Sequence, residues 1–313
     1  TQYNELVQIL DSAEGGATLE DRKRFAREAF NLSSDYDTAI YKYFLADTDG
    51  SFKESLLEKK ELRYGENPHQ RGSFHGTLSD LFDQLNGKEL SYNNLLDVDA
   101  AVNLIDDFSE TTFAVLKHNN ACGVASRNTV EEAWEGALAG DPVSAFGGVL
   151  VTNATVTESV AKEITKLFFE VIIAPSYEDG ALTVLKVKKN RIILHRKDIA
   201  MPQRTFRTLL NGVVRQDKDI AVERAEDFEV KTKTAPSAEE VEDLLFANKV
   251  VKHTKSNCIV LAKGKQLLAS GVGQTSRVDA LKQAIAKAAH FGFDLKGASM
   301  ASDAFFPFPD CVE

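Results

Sequence analysis

The chain has 313 residues, of which 43% are hydrophobic, and a net charge of -10 at pH 7. A chain of this length can bury a full core and is long enough for more than one domain, while its acidic balance argues against a broad nucleic-acid-binding face. It has no run of the roughly 18 apolar residues that a membrane helix needs, so we expect a cytoplasmic protein with neither membrane nor nucleic-acid partners.

The cysteines are Cys122, Cys258 and Cys311, which are odd in number and far apart. This spacing predicts reduced thiols rather than a disulfide framework or a zinc knuckle. The first residue is Thr1 rather than Met, from which we expect a fragment or a processed chain.

Residues 1–48 are predicted to be helical. Thr18 and Asp21 have the spacing of a capping box, and the helix after them carries Phe25 and Phe30 at helical intervals. A second helix is predicted from about Asp37, and both helices are expected to pack through their apolar sides. The short polar segment 47–51 contains a glycine and is the predicted linker.

From residue 62 onward helical and strand patterns alternate, which predicts an α/β fold without a visible internal repeat. Residues 63–70 combine polar groups with Gly and Pro, a composition typical of a loop that binds a ligand, lies at an interface or is a solvated turn. A helix is predicted from about Asp97, with Asn94 just before it. The amino end of that helix is available to an anion.

A continuous apolar strand is predicted over residues 113–116, and Lys117 and His118 follow at its carboxyl end. Open α/β sheets hold ligands at this end of their strands. Polar residues in this position also cap turns, so a ligand site and a simple turn both remain open.

The remaining elements are predicted from periodicity and turn residues. A helix is expected over 157–169, strands over 171–174 and 191–194, and a solvated charge run over 186–191. Capping residues at 237–240 predict a helix with its buried side formed by Val241, Leu244, Leu245 and Val251. A hairpin turning at Gly264 is followed by a helix over 278–289, whose inward residues are expected to be Val278, Leu281 and Ile285.

The spacing of the reactive residues excludes several kinds of chemistry. A deaminase zinc site requires a Cys-x-x-Cys pair, a dinucleotide or phosphate loop requires a longer glycine pattern than residues 271–273 provide, and a serine nucleophile elbow is absent. A metal-free acyl transfer remains, with His118 as proton carrier, Lys117 as fixed cation, Asn257 as amide donor and Asp310 as carboxylate. The alternative is that His118 is structural.

Six segments, taken in order, resemble the family of bifunctional purine-synthesis enzymes that combine 5-aminoimidazole-4-carboxamide ribonucleotide (AICAR) formyltransferase with IMP cyclohydrolase. They are LRYGENPHQ at 62–70, LKH at 116–118, SAFG at 144–147, KSN at 255–257, GQTSR at 273–277 and SDAFFPF at 302–308. The resemblance covers about residues 62–310, and residues 1–48 resemble the closing helices of the cyclohydrolase domain.

The resemblance implies transfer of a formyl group from 10-formyltetrahydrofolate, a co-substrate, to the 5-amino group of AICAR without a catalytic metal. It implies catalytic roles for Lys117, His118, Asn257 and Asp310. It implies AICAR contacts for Arg63, Tyr64 and Asn94. The folate-binding positions that it implies are Val143, Phe146, Gly147, Arg277, Val278, Phe305 and Phe308.

The resemblance also implies a fold of two cytidine-deaminase-like α/β units with mixed sheets, preceded by a short helical segment. The corresponding domains are 1–48, the end of a methylglyoxal-synthase-like cyclohydrolase domain, 49–225, the first transferase subdomain, and 226–313, the second. A homodimer with shared active sites is expected.

Three residues depart from the family pattern. Ala121 stands where proline is common, Val272 where alanine is usual, and Pro309 where an arginine usually lies beside Asp310. Since the family chain also extends beyond both ends of this one, we expect no cyclohydrolase activity here. Two alternatives follow for the transferase: an active enzyme, or a catalytically impaired fragment that binds nucleotide or dimerises.

Overall fold

The computed structural model describes residues 2–12, 14–46, 48 and 50–311. The chain divides into two compact units, the first formed by residues 1–62 and 71–77 and the second by residues 63–70 and 78–313. Asp47 and Asp49 of the predicted linker lie outside the described residues, as do the terminal residues 1, 312 and 313 of the predicted domains. The predicted domain boundaries at 48/49 and 225/226 stay predictions.

The first unit contains two helices and a two-stranded antiparallel ribbon. These are α1 (Tyr3–Ser12), α2 (Leu19–Leu45), β1 (Lys59–Leu62) and β2 (Gly72–His75). The predicted capping box is confirmed, since Thr18 Oγ1 accepts a hydrogen bond from the Asp21 N–H at 3.0 Å and the Asp21 carboxylate accepts one from the Thr18 N–H.

The predicted helix start at Asp37 is wrong, because α2 has no glycine or proline to interrupt it and runs straight through this residue. No residue of α1 or α2 is buried among those described. Phe25 is partly buried, but Phe30, Tyr43 and Phe44 are at least 74% exposed, so these three side chains do not pack as expected.

The second unit alternates helices and strands. Its helices are α3 (Leu78–Leu81), α4 (Tyr92–Ile105), α5 (Val130–Gly140), α6 (Glu158–Ile164), α7 (Asp179–Leu185), α8 (Ala238–Lys252) and α9 (Arg277–His290). Its strands are β3 (Phe82–Asn86), β4 (Thr112–Lys117), β5 (Asn120–Ser126), β6 (Val149–Thr152), β7 (Thr155–Val156), β8 (Val171–Ala174), β9 (Ser176–Tyr177), β10 (Ile192–Arg196), β11 (Arg204–Leu209), β12 (Gly212–Asp217), β13 (Ile259–Ala262), β14 (Leu267–Gly271) and β15 (Ser299–Ser302). Single 3₁₀ turns occur at Ala225–Asp227 and Pro309–Cys311.

The principal sheet has the order β3-β10-β8-β6-β4-β5. Strand β8 is parallel to β6 and β10, whereas the other pairs are antiparallel, so the sheet is mixed. A second sheet, β14-β13-β15, is antiparallel throughout. The expectation of an α/β fold with mixed sheets is confirmed.

Both faces of the principal sheet are buried, as the continuous apolar sequence of β4 requires. Phe113 and Val115 point into a core shared with α5, α6 and α7. Ala114 and Leu116 point into the opposite core, which includes residues of α4, α8 and β13. The polar residues after Leu116 are therefore presented at the end of a strand that is held on both sides.

The strand Val171–Ala174 and the hairpin through Gly264 are confirmed. Helix α4 begins at Tyr92 rather than Asp97, because Ser91 caps it with Asn94 as the reciprocal partner. Helix α6 ends at Ile164, five residues before the predicted end. In the predicted solvated run 186–191, Arg191 is only 6% exposed.

The buried sides of two helices were predicted in the wrong register. In α8 the buried residues are Asp243, Phe246, Ala247, Val250 and Val251, so that only Val251 matches the prediction. In α9 the predicted Leu281 does pack against the core, partly buried. The fully buried residues, however, are a stripe of alanines, Ala280, Ala284 and Ala288, while Ile285 is 45% exposed. Small residues are needed there, because a Cβ on Gly271 of the adjacent strand would lie 1.8 Å from the Ala280 carbonyl oxygen.

The second unit contains a structural repeat that the sequence does not reveal. The segment α4-β4-β5-α5-β6 and the segment α8-β13-β14-α9-β15 have the same order of elements, and in each the first strand pairs antiparallel with the other two. The sixth residue of the first helix is an aspartate in both, Asp97 and Asp243. Each aspartate accepts a hydrogen bond from the hairpin turn of its own segment.

Among the described residues, none of the helices is both long enough and apolar enough to cross a membrane.

Candidate active site

The β4–β5 turn presents the sequence-predicted pair Lys117 and His118. Lys117 pairs with Asn120 across the hairpin, which leaves His118 and Asn119 as the two turn residues, with φ of 52° and 64°. A two-residue hairpin turn with positive φ at both positions matches the twist of its strands but favours glycine and asparagine. Histidine in this conformation costs about 1 kcal/mol or more. His118 is exposed at the tip.

Three hydrogen bonds fix this turn to other segments of the second unit. The Asn119 N–H donates to Asp97 Oδ1 on α4 at 2.7 Å. Asn120 Oδ1 accepts from the Lys255 N–H at 3.0 Å. Lys117 Nζ donates to the Phe146 carbonyl at 2.8 Å. The turn thereby brings together the segments of the LKH, SAFG and KSN motifs.

The SAFG segment lies beside Lys117 and offers an exposed aromatic surface. Phe146 is 58% exposed and its ring lies 5.1 Å from that of Phe168. The Gly147 N–H donates to the Phe168 carbonyl at 2.8 Å, which anchors the segment. Val143 is 70% exposed. Two of the predicted folate-binding residues, Phe146 and Gly147, therefore lie next to the lysine.

Asn257 and Arg277 are held together within a polar network. Arg277 Nη1 donates to Asn257 Oδ1 at 2.7 Å, and its Nη2 lies 3.5 Å from Asp303 Oδ1. Asn257 Nδ2 donates to the carbonyls of Gln274 and Thr275 at 3.0 and 3.3 Å. Both polar ends of the Asn257 side chain are thus engaged, and donation to a ligand requires exchange of one of these bonds.

The Asp303 carboxylate organises this network. Burial raises its pKa, but hydrogen bonds from the Cys258 N–H and Ser256 together with the charge of Arg277 outweigh burial and hold the pKa below its usual value. Asp303 therefore stays ionised and keeps the Arg277 guanidinium oriented toward Asn257.

Asn94 and Asp97 lie on the first two turns of α4. Asn94 is buried, caps the helix through the Ser91 N–H, and donates from Nδ2 to Glu170 Oε2 at 3.5 Å. Burial raises the pKa of Asp97, and the charge of Glu170 adds to this, whereas the Asn119 N–H and the nearby His118 act in the opposite direction. Glu170 also pairs with Lys88 at 2.9 Å.

The other predicted site residues form no hydrogen bond or ion pair with the turn 117–120 within the part of the chain that the structure describes. Arg63 is exposed with its guanidinium 5.7 Å from the centre of the Tyr64 ring. Phe305 and Phe308 are 81% and 68% exposed, Asp310 is exposed, and Val278 is partly buried at the start of α9. Their roles stay predictions.

Sequence reasoning did not find Asp97, Glu170, Lys255 or Asp303 as members of this site. Only Asp303 and Lys255 had a signal, because they lie within the SDAFFPF and KSN motifs. Asp97 and Glu170 reach the site through contacts between distant segments, which spacing does not encode.

Three thiols are buried, those of Cys122, Cys258 and Cys311, and burial raises the pKa of each, which disfavours the reactive thiolate. Burial raises the pKa of Cys122 and of Cys258 to about 12. Within the described ranges, no three His, Cys, Asp or Glu side chains are grouped so that they could hold a metal ion.

Comparison with known proteins adds to this geometry. The family described as AICARFT/IMPCHase bienzyme matches residues 1–287. "Bifunctional purine biosynthesis protein PurH" of Bacteroides thetaiotaomicron is 64% identical over 312 residues, which cover 100% of this chain and 62% of that protein. The proteins of the same name from Aquifex aeolicus and Acetivibrio thermocellus are 47% and 42% identical, over 96% and 99% of this chain and 61% and 65% of theirs.

The chain thus spans under two thirds of the length of these relatives. The family match covers more than nine tenths of the chain and includes the LKH, SAFG, KSN and GQTSR segments that surround the β4–β5 turn. This chain belongs to the AICARFT/IMPCHase bienzyme family.

Proposed function

We propose that this chain carries the site that transfers a formyl group from 10-formyltetrahydrofolate to the 5-amino group of AICAR in purine synthesis. Membership of the family supports the proposal. The observation that carries it is the convergence at one turn of Lys117, His118, Phe146 and the KSN segment, through the hydrogen bonds of Lys117 and Asn120.

In the proposed reaction, the AICAR amine attacks the formyl carbon and forms the new C–N bond. His118 accepts the proton that the amine loses, as a neutral imidazole can near neutral pH. The tetrahedral oxyanion is stabilised by donors, for which Lys117 Nζ and the Asn257 amide are the candidates. The bond between the formyl carbon and N10 of the folate then breaks, and N10 takes up a proton as it leaves.

The proposed ligand contacts follow from charge and shape. Arg63 is suited to a phosphate because a guanidinium binds oxyanions through two parallel N–H groups, and Tyr64 and Asn94 would complete the AICAR contacts. The proposed folate surface combines the aromatic and small residues Val143, Phe146, Gly147, Arg277, Val278, Phe305 and Phe308, with Asp310 near the folate. No metal has a role in this scheme.

We further propose that the fold consists of two cytidine-deaminase-like α/β units and that the active sites are shared in a homodimer. The repeated order of elements in α4–β6 and α8–β15 supports two related units. A shared site accords with the exposed positions of Arg63, Phe305, Phe308 and Asp310 in the single chain. The domain boundaries 1–48, 49–225 and 226–313 are part of the proposal.

The direct test is formylation of AICAR by this chain in the presence of 10-formyltetrahydrofolate. His118→Ala should lose about 10²- to 10⁴-fold in rate, because a general base contributes that much. A matched control is His75→Ala, since His75 lies in the first unit on β2. Formylation by His118→Ala at the unmodified rate would contradict the assignment of His118. Binding of AICAR without turnover by the unmodified chain would instead favour the impaired fragment.

A further inference from the structure

A basic cavity of about 500 Å³ lies where three connections of the second unit meet, those between β3 and α4, between α6 and β8, and between α7 and β10. Five of its lining residues are cations and one is a carboxylate: Lys88, Lys166, Lys188, Lys189, Arg191 and Glu170. Its wall also contains the apolar side chains of Leu167, Phe168 and Phe169. This excess of positive charge contrasts with the net charge of -10 of the whole chain.

Arg191 is the buried cation of this cavity and has no carboxylate partner among the described residues. Its side chain lies over the Phe169 ring at 4.3 Å and donates from Nη1 to the Leu185 carbonyl at 3.1 Å. Its Nε is buried without a hydrogen-bond partner. A buried charge of this kind is costly unless it is paired, and an anion in the cavity would supply the missing charge.

Two of the four lysines are free to bind an anion. Lys88 is paired with Glu170 at 2.9 Å and Lys166 with Glu163 at 2.6 Å. Lys188 and Lys189 are exposed, and their ammonium groups form no ion pair within the described part of the chain. They follow one another directly and lie on the same connection as Arg191.

We propose that this basic cavity is a binding site for a carboxylate or phosphate group carried by a ligand with an aromatic or apolar portion. Lys188, Lys189 and Arg191 hold the oxyanion, through charge-assisted hydrogen bonds. Leu167 and Phe168 receive the apolar portion, while the buried Phe169 ring lies behind the Arg191 guanidinium. The cavity adjoins the candidate active site, since Phe168 contacts Phe146 and Glu170 accepts from Asn94. Its cations have no role in the proposed formyl transfer, so the proposal goes beyond that reaction.

Isothermal titration of the full chain with three probes tests the proposal. Inorganic phosphate lacks an apolar portion, phenyl phosphate combines a ring with a phosphate, and p-aminobenzoylglutamate combines a ring with carboxylates. We expect at least one of the two aromatic probes to bind more tightly than inorganic phosphate. Whichever aromatic probe binds more tightly identifies phosphate or carboxylate as the preferred oxyanion.

The double variant Lys188→Gln/Lys189→Gln should weaken that binding about tenfold, a loss typical of charge-assisted contacts. Its matched control is Lys186→Gln/Lys282→Gln, which removes the same charge from exposed positions outside the cavity and should bind like the unmodified chain. Arg191→Lys keeps the charge but removes the planar guanidinium, and should weaken binding as well. Absence of binding of all three probes at millimolar concentration, or equal losses in both double variants, would overturn the proposal.

Discussion

The β4–β5 turn and the β13–β14 turn occupy corresponding places in two segments with the same order of helices and strands. Both are two-residue turns with positive φ, 52° and 64° at His118 and Asn119 and 58° and 52° at Gly264 and Lys265. Gly264 adopts this conformation without strain, whereas for His118 the same conformation is strained. Lys265 has the same positive φ as His118, so each turn contains one residue other than glycine or asparagine in this conformation. The proposed role of His118 as proton acceptor accounts for the histidine in the first turn.

The two turns also differ in how their aspartates hold them. Asp243 is buried and accepts from the Gly264 and Lys265 N–H groups at 2.8 and 2.6 Å. Asp97 accepts one such bond, from Asn119 at 2.7 Å, and lies close enough to His118 for the charge of His118 to affect its pKa. The β13–β14 turn is thus held by two hydrogen bonds to its aspartate, and the β4–β5 turn by one.

The substitution with the largest expected effect gives the β4–β5 turn the glycine that the β13–β14 turn has. His118→Gly should lower the rate of AICAR formylation about 10²- to 10⁴-fold, because the base is removed. The same substitution should raise the free energy of unfolding by about 0.5 to 1 kcal/mol, because the strained backbone is relieved. Initial rates and urea denaturation measure the two effects.

The matched control for this experiment is Gly264→Ala in the other turn. It should lower the free energy of unfolding by about 1 kcal/mol, because alanine is disfavoured at φ of 58°. Its rate of AICAR formylation should be unchanged. If His118→Gly unfolded at a lower urea concentration than the unmodified chain, the argument from backbone strain would be wrong.

Replacing either aspartate should have a smaller effect, and it should change the free energy of unfolding rather than the rate of AICAR formylation. Asp243→Ala loses two hydrogen bonds to a buried carboxylate and should lower the free energy of unfolding by about 3 kcal/mol. Asp97→Ala loses one and should lower it by about 1.5 kcal/mol. Urea denaturation of the two variants measures the difference. Equal losses would show that the two turns are fastened alike.

A still smaller effect is expected from the titration of Asp97. Because its pKa is raised in the folded state above the ordinary 3.8, the folded chain binds more protons than the unfolded chain between these two pKa values. The stabilising contribution of Asp97 is therefore complete below pH 3.8 and is lost as the pH rises through the folded pKa. Asp97→Asn should become more stable relative to the unmodified chain from pH 4 to 7, as measured by urea denaturation at each pH.

Asp107 supplies a control of opposite sign for this titration, since it ties the end of α4 to His253 at 2.7 Å and to Lys252 at 3.1 Å at the end of α8. Burial raises its pKa, but hydrogen bonds from His253 and Lys252 outweigh burial and lower it below 3.8. Its contribution is present above pH 3.8 and is lost as the pH falls through the folded pKa. Asp107→Asn should therefore be destabilised most near pH 7 and least in acid. A parallel pH dependence of the two variants would contradict this assignment.

Local signals accounted for much of the fold. The capping boxes at Thr18 and Ser237 begin helices as predicted, and the strand Val171–Ala174 has its predicted bounds. The predicted buried side of α9 was wrong because hydrophobicity favoured Ile285, while the backbone of Gly271 approaches the helix so closely that only small residues fit. Helix α4 starts earlier than predicted because Ser91 caps it, with Asn94 as the reciprocal partner.

The candidate site shows the same division between local and long-range information. Lys117 and His118 could be selected from the sequence, because polar residues directly followed an apolar strand and matched a motif. Their contacts with Asp97, Phe146 and the segment beginning at Lys255 could not be selected, because the hairpin makes them with three separate segments. That Arg63 and Asp310 belong to this site stays a prediction.

By itself, the sequence determined where the helices are capped, which strand is buried on both faces and which residue types follow it, because those properties depend on neighbouring residues and on periodicity. Only the tertiary structure decided that the turn with His118 and the turn with Gly264 occupy corresponding places. It also decided that Arg191 is buried without a carboxylate partner among the described residues. Both depend on how segments distant in sequence pack, and periodicity contains no information about such contacts.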